Sequence, residues 1–127
     1  MQNPVVHFEI PADNVDRAKS FYSKAFGWDM VAPPGMDYLM VGTTAVGKDQ
    51  RPTTPGAING GMLKRQEPVR QVVITISVDN IDASIKQITK LGGKAVGTKV
   101  AVGDMGWAAY FSDTEGNVVG LWQTSKR

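Results

Sequence analysis

Residues 13–24 read DNVDRAKSFYSK, and residues 79–90 read DNIDASIKQITK. A shift of 66 positions (13 to 79) places the first four residues of one stretch on the first four of the other, with Val15 matched to Ile81. The same shift places Gly27 on Gly93. Because one helix start recurs at matched positions in both halves, the sequence indicates an internal duplication.

Both stretches predict a helix. Aspartate and asparagine oxygens can accept hydrogen bonds from the free N–H groups of a helix N-terminus, and the negative charge suits the helix dipole there. Glycine at positions 27 and 92–93 predicts where the helices end, because glycine adopts the left-handed conformation at low cost. The apolar positions at helical spacing are Val15, Ala18, Phe21, Tyr22, Ala25 and Phe26 in the first helix and Ile81, Ile85, Ile88 and Leu91 in the second.

Strands are predicted before and after each helix. A β-rich run precedes each one, at residues 5–10 and 72–78. Three further candidates follow each helix, near 27–31, 38–41 and 57–64 in the first half and near 95–100, 107–112 and 117–123 in the second. The order is therefore βαβββ twice, with modules at about 4–65 and 70–125 in one domain spanning 1–127.

Composition narrows the function classes. The 127 residues include no cysteine, so no disulfide framework or thiolate metal site is expected, and a reducing, cytoplasmic setting fits. No apolar stretch approaches the roughly 20 residues that cross a bilayer, so we expect no membrane partner. The formal charge is +2, with basic residues scattered along the chain, which argues against a nucleic-acid partner.

Several motifs carry a resemblance to a known superfamily. They are residues 13–22, FGW at 26–28, SVDN at 77–80, the glycine pair at 92–93 and FSDTEGN at 111–117. In this order the chain resembles the vicinal oxygen chelate superfamily over nearly its whole length. That superfamily includes glyoxalase I, bleomycin-resistance proteins, fosfomycin-resistance enzymes and extradiol dioxygenases. The resemblance implies an α+β fold whose tandem βαβββ modules form one curved mixed sheet around a small-molecule cleft, and it implies a homodimer.

The resemblance also implies where a metal would bind. Metal-dependent members hold a divalent ion with one ligand from each of four strands, a histidine and a glutamate in each half. The corresponding positions here are His7, Gly60, Val73 and Gly120, so one of the four ligands remains. Valine and glycine side chains offer no donor atom. We therefore expect neither a metal nor another cofactor.

His7 and Glu9 are the candidate catalytic residues. They lie two positions apart on the first strand, so both side chains leave the same face. A carboxylate beside an imidazole can fix its tautomer and raise its basicity, which suits a general base. The alternative is a partly buried histidine with no chemical role.

The candidate ligand-binding residues lie in the predicted strands after each helix. Aromatic and methionine side chains there would line an apolar pocket suited to a small flat ligand, although such residues also form cores. Glycines on inward positions would leave volume for the ligand. The full set is Tyr38, Met40, Gly60, Met62, Trp107, Tyr110, Gly120 and Trp122.

Two functions follow from these residues. The first is a metal-independent protein that binds a small organic molecule, like the bleomycin-resistance proteins. The second is a glyoxalase-type lyase or isomerase that uses His7 as its general base, with or without a divalent metal. Loss of the family's ligand set favours the first function, and the pairing of His7 with Glu9 keeps the second open.

Overall fold

A computed structural model describes residues 2–125 of the chain. The elements follow the order βαβββ twice, which confirms the predicted α+β fold. They are β1 (Val5–Ala12), α1 (Val15–Phe26), β2 (Asp29–Val31), β3 (Leu39–Gly42), β4 (Gly60–Lys64), β5 (Val73–Ser77), α2 (Ile81–Lys90), β6 (Lys94–Val102), β7 (Gly106–Ser112) and β8 (Val118–Thr124). Within residues 2–125, neither helix has the length and apolar character needed to span a bilayer.

The chain divides into two compact units. One is His7–Val72, and the other combines Met1–Val6 with Val73–Arg127. The first residues of β1 therefore group with the second half of the chain, where the Ser77 N–H donates to the Pro4 carbonyl at 2.9 Å. This division differs slightly from the predicted modules, which begin at about residues 4 and 70.

The His7–Val72 unit carries four strands in the order β2-β3-β4-β1. β1 and β4 run parallel, whereas the other neighbours are antiparallel. The helix α1 packs on one face of this sheet, which we call the helix side, and the opposite face is the far face. Ala12, Met30, Val41 and Met62 form the buried core on the helix side.

The second unit repeats this arrangement. Its strands follow the order β5-β8-β7-β6, with β5 and β8 parallel and the other neighbours antiparallel. The core on its helix side, beneath α2, consists of Ile81, Ala109, Phe111 and Leu121. The duplication seen in the sequence is therefore a duplication of strand order and pairing direction.

Both helices begin at the predicted asparagines and α1 ends at the predicted Gly27, whereas α2 ends at Lys90 with Leu91 as its C-cap, one residue before the predicted glycine pair. Asn14 Oδ1 accepts from the Arg17 N–H at 2.9 Å, and Asn80 Oδ1 accepts from the Ala83 N–H at 2.8 Å. At the other end of α1, Gly27 has φ of 71° and its N–H donates to the Ser23 carbonyl. The caps fix where each chain segment leaves the helix and turns back into the sheet.

Candidate functional site

The side chains of strand β1 alternate between the two faces of the sheet. Phe8, Ile10 and Ala12 belong to the core on the helix side. His7 and Glu9 alternate with them and lie on the far face, as their spacing of two predicts. Glu9 is buried, with 8% of its surface exposed, and His7 is half-buried. The strand thus presents an imidazole and a carboxylate side by side in a partly dehydrated setting.

The hydroxyl of Tyr38 joins these two groups. Tyr38 precedes β3, and its oxygen lies 2.8 Å from His7 Nε2 and 2.8 Å from Glu9 Oε2. The three side chains form a hydrogen-bonded chain, which we call the His7–Tyr38–Glu9 chain. Such connected polar groups on a sheet face hold one another in fixed orientations.

The chemistry of the donors and acceptors fixes the direction of both hydrogen bonds in the His7–Tyr38–Glu9 chain. An ionised carboxylate only accepts, so the Tyr38 hydroxyl donates its single proton to Glu9. The hydroxyl oxygen must then accept from His7, which places the proton of the neutral imidazole on Nε2. In this arrangement Nδ1 carries the lone pair that can accept a hydrogen bond or a proton.

Two opposing effects act on the pKa of His7. Burial lowers it, because the charged imidazolium loses hydration, and the negative charge of Glu9 raises it by a smaller amount. The net result is a pKa below the ordinary value of a histidine. His7 is therefore a neutral imidazole at physiological pH, the form that acts as an acceptor or base.

Gly61 makes room for the Tyr38 side chain. On the far face, Gly61 pairs with Glu9 on one side and with Met40 on the other. A Cβ at Gly61 would overlap the ring and hydroxyl of Tyr38, so only glycine leaves the hydroxyl its place. Met40 lies in the same row with 44% of its surface exposed. Sequence reasoning noted both adjacent glycines of strand β4 but chose Gly60 for the site, whereas the register places Gly61 in the row of Glu9 and Met40.

The second unit brings three of its predicted residues to its own far face. Gly120 of β8 pairs with Thr75 on one side and with Tyr110 on the other. Trp122 lies two residues along the same strand, and its Nε1–H donates to Thr124 Oγ1 at 3.0 Å. A Cβ at Gly120 would lie 2.8 Å from Thr75 Oγ1, so this glycine also accommodates a neighbouring side chain.

Three predicted ligand-binding residues lie instead on the helix side. Met62 is in the core of its unit with 0% of its surface exposed, and a Cβ at Gly60 would meet Phe8. Trp107 lies two residues before the core residue Ala109 of β7 and so shares its face, and Lys99 Nζ lies 4.9 Å from its ring centroid. Gly60 and Met62 therefore do not share a face with His7 and Glu9, and Trp107 does not share a face with Tyr110, Gly120 and Trp122. Strand parity explains the difference, since neighbouring residues face opposite sides.

The duplicated register also corrects the position of the family's metal ligand in the first half. Glu9 pairs with Gly61 as Thr75 pairs with Gly120, so Gly61, and not Gly60, is the counterpart of Gly120. The four family positions therefore hold His7, Gly61, Val73 and Gly120.

These residues do not fit a divalent ion. Only His7 among them carries a donor, and its Nε2 is hydrogen-bonded to Tyr38. Within residues 2–125, no group of three or more histidine, aspartate or glutamate side chains is placed to hold a metal ion.

Comparison with known proteins finds a family model and relatives that match this chain. Residues 5–44 match the family model described as bleomycin resistance protein-like N-terminal. A glyoxylase-like domain-containing protein of Didymella fabae is 38% identical over 114 residues, which cover 86% of this chain and 84% of that protein. A second relative, the protein CFP32 of Mycobacterium bovis, carries a provisional glyoxylase name and is 31% identical. The matched part of this chain spans 41% of the length of CFP32.

Solved structures share the fold at low sequence identity. A methylmalonyl-CoA epimerase of Streptomyces coelicolor aligns with a TM-score of 0.66 at 14% identity, over 99% of this chain and 100% of that chain. A glyoxalase/bleomycin resistance protein/dioxygenase superfamily member of Vibrio splendidus aligns with a TM-score of 0.60 at 12% identity, over 97% and 99% of the two chains. The relative that is 38% identical shows that the chain belongs to the glyoxalase-like proteins, and the match over residues 5–44 and the shared fold agree with the vicinal oxygen chelate superfamily.

Proposed function

We propose that this protein binds a small organic molecule, without a metal, on the far face of the His7–Val72 sheet. The His7–Tyr38–Glu9 chain is the observation that carries the proposal, with both of its hydrogen bonds at 2.8 Å. Ligand sites in proteins are mostly apolar surfaces with a few fixed polar groups. The exposed Met40 supplies apolar surface beside the polar chain.

The hydrogen bonds of the chain support a metal-free site. A divalent ion at His7 would have to displace Tyr38 from Nε2 or bind Nδ1 with few other donors nearby. Zinc sites in proteins use three or four protein ligands, and calcium sites use more. The pair His7 and Glu9 supplies two ligands at most.

The test is a binding titration in the presence of a metal chelator. The probes are metal-free bleomycin and the hemithioacetal of methylglyoxal and glutathione. We expect at least one probe to raise the melting temperature and to shift the imidazole NMR signals of His7, the sole histidine of the chain. At a ligand concentration of 100 times Kd the stabilisation would be about 2.7 kcal/mol. In His7→Ala the probe should bind more weakly. Binding that required an added divalent ion would contradict the proposal.

A second candidate function is proton transfer at a carbon next to a carbonyl group. A neutral imidazole held through Nε2 has its other nitrogen available as a general base. The fold shared with methylmalonyl-CoA epimerase agrees with such chemistry without assigning it. Turnover of α-ketoaldehyde–thiol adducts by wild-type protein, lost in His7→Ala, would favour this function. If both proteins are inactive while a ligand still raises the melting temperature, binding alone is the function.

We also propose a homodimer in a cytoplasmic setting. Large apolar side chains on α1 and β2 are exposed, among them Phe21, Phe26 and Val31 at 60–63%. Burying such groups against a second copy would remove apolar surface from water. The absence of cysteine agrees with a reducing compartment.

A further inference from the structure

The two nitrogens of His7 have different surroundings. Nε2 contacts the Tyr38 hydroxyl at 2.8 Å, and that hydroxyl donates to Glu9. If Glu9 is ionised, the only proton that can lie between Nε2 and the Tyr38 oxygen belongs to the imidazole. Tyr38 thus selects the Nε2–H form of the neutral ring.

Nδ1 is left as an acceptor with access to solvent. Among residues 2–125, no side chain or backbone group is hydrogen-bonded to His7 Nδ1. In that same part of the chain, no buried side-chain nitrogen or oxygen lacks a hydrogen-bond partner. Nδ1 is therefore not a fully buried atom, and it is the ring nitrogen left without a protein partner among these residues.

We infer that Tyr38 is a positioning residue that holds His7 in the Nε2–H tautomer, so that the ligand presents a hydrogen-bond donor or an acidic C–H to Nδ1. The ligand class rests on the proposed function, whereas the tautomer is a property of the free protein. Gly61 is part of the same arrangement, because a side chain there would displace the Tyr38 ring.

The tautomer is tested by ¹⁵N NMR of the single imidazole at a pH above its titration. In wild-type protein we expect Nε2 to show the shift of a protonated ring nitrogen and Nδ1 that of an unprotonated one. Tyr38→Phe removes only the hydroxyl, and both shifts should move toward the average of two exchanging tautomers. Tyr22→Phe is the matched control, because it makes the same change on the helix side of the same unit. It should leave the His7 signals unchanged.

A wild-type spectrum with the proton on Nδ1, or unchanged shifts in Tyr38→Phe, would overturn the inference. If Tyr38→Phe does not fold, the wild-type spectrum still decides the tautomer, and Gly61→Ala should produce the same loss of preference by displacing the ring.

The ligand class is tested with indole and N-methylindole, which differ in one N–H donor. We expect indole alone to shift Nδ1, and equal shifts with both would overturn the ligand class. If neither compound binds, the proposed function loses support while the tautomer result stands.

Discussion

Tyr38 converts two neighbouring polar side chains on β1 into one connected unit. The spacing of His7 and Glu9 predicts that they share a face, and the structure places both on the far face. Their connection through Tyr38 could not be predicted, because it depends on the pairing of β3 with β4 and of β4 with β1. Those pairings bring Tyr38 next to Glu9 and His7, which precede it in the sequence by 29 and 31 positions. The alternation of side chains along a strand depends on local geometry, whereas the register between paired strands depends on the assembled sheet.

The lowered pKa of His7 predicts how stability depends on pH. The unfolded chain takes up a proton near the ordinary histidine value of about 6.5, whereas the folded protein takes it up only at lower pH. Below about pH 6.5 the unfolded state therefore binds more protons, so the free energy of unfolding should rise with pH through this interval and level off above it. Urea unfolding between about pH 5.5 and 7.5 measures this dependence, in a range above the titration of ordinary carboxylates.

The variant His7→Asn serves as the control for that experiment. His7 is the only histidine in the sequence, so its replacement should flatten the dependence in this interval. A wild-type stability that falls as pH rises toward neutrality would contradict the assignment, as would a slope that persists in the variant.

The room left by Gly61 predicts a contrast between two glycines. In Gly61→Ala the new methyl group would overlap Tyr38, and overpacking of this kind costs about 1–3 kcal/mol. Gly42→Ala is the matched control, because its Cβ would lie 3.6 Å from Asp29 in ordinary contact. That change should be neutral or stabilise the protein by up to about 1 kcal/mol, since alanine restricts the unfolded chain. Chemical denaturation compares the two, and equal effects would show that Gly61 has no special packing role.

At the scale of elements, the strands show how a one-residue difference changes a site. The sequence predicts every strand that contains a candidate residue, yet Gly60, Met62 and Trp107 lie on the helix side. A methionine or tryptophan in a strand fits a core and a ligand surface equally well, so composition cannot decide which face it occupies. The repeat can decide which face a residue occupies, because its counterpart in the other unit has the same register.

The two helix caps predict matched losses of stability. Asn14 and Asn80 each accept a backbone N–H three residues on, at 2.9 and 2.8 Å. Asn14→Ala and Asn80→Ala should each lower the free energy of unfolding by about 1 kcal/mol, because an N-terminal N–H loses its partner. The caps share no partner, so the double variant should show the sum of the two effects. Denaturant melts of the three variants measure this, and a loss confined to one cap would show that the repeated motif is equivalent in sequence only.

At the scale of the whole molecule, the duplication accounts for most of what the sequence could predict. The repeated DN-D start, the glycine stops and the β-rich runs together predict βαβββ twice, and both units have this order. The grouping of Met1–Val6 with the second half could not be predicted from the repeat, because it comes from long-range contacts of the chain.

The proposed homodimer predicts a mass of twice 13.7 kDa in solution. Sedimentation equilibrium at micromolar concentration measures it directly. The double variant Phe21→Ser and Phe26→Ser removes two exposed apolar side chains of α1 and should weaken association if that surface is buried between copies. A wild-type protein that stays monomeric across the concentration range would contradict the proposal.

The account depends on a site that works without a metal, and calorimetric titration of metal-stripped protein with Ni²⁺, Zn²⁺ and Mn²⁺ tests this most directly. With one imidazole and one carboxylate in the His7–Tyr38–Glu9 chain, both engaged by Tyr38, we expect no binding tighter than about millimolar, a standard free energy of about −4 kcal/mol. Micromolar binding that disappears in His7→Ala would contradict the account. It would mean that a metal centre includes His7, and a metal-dependent lyase or dioxygenase would then become the leading function.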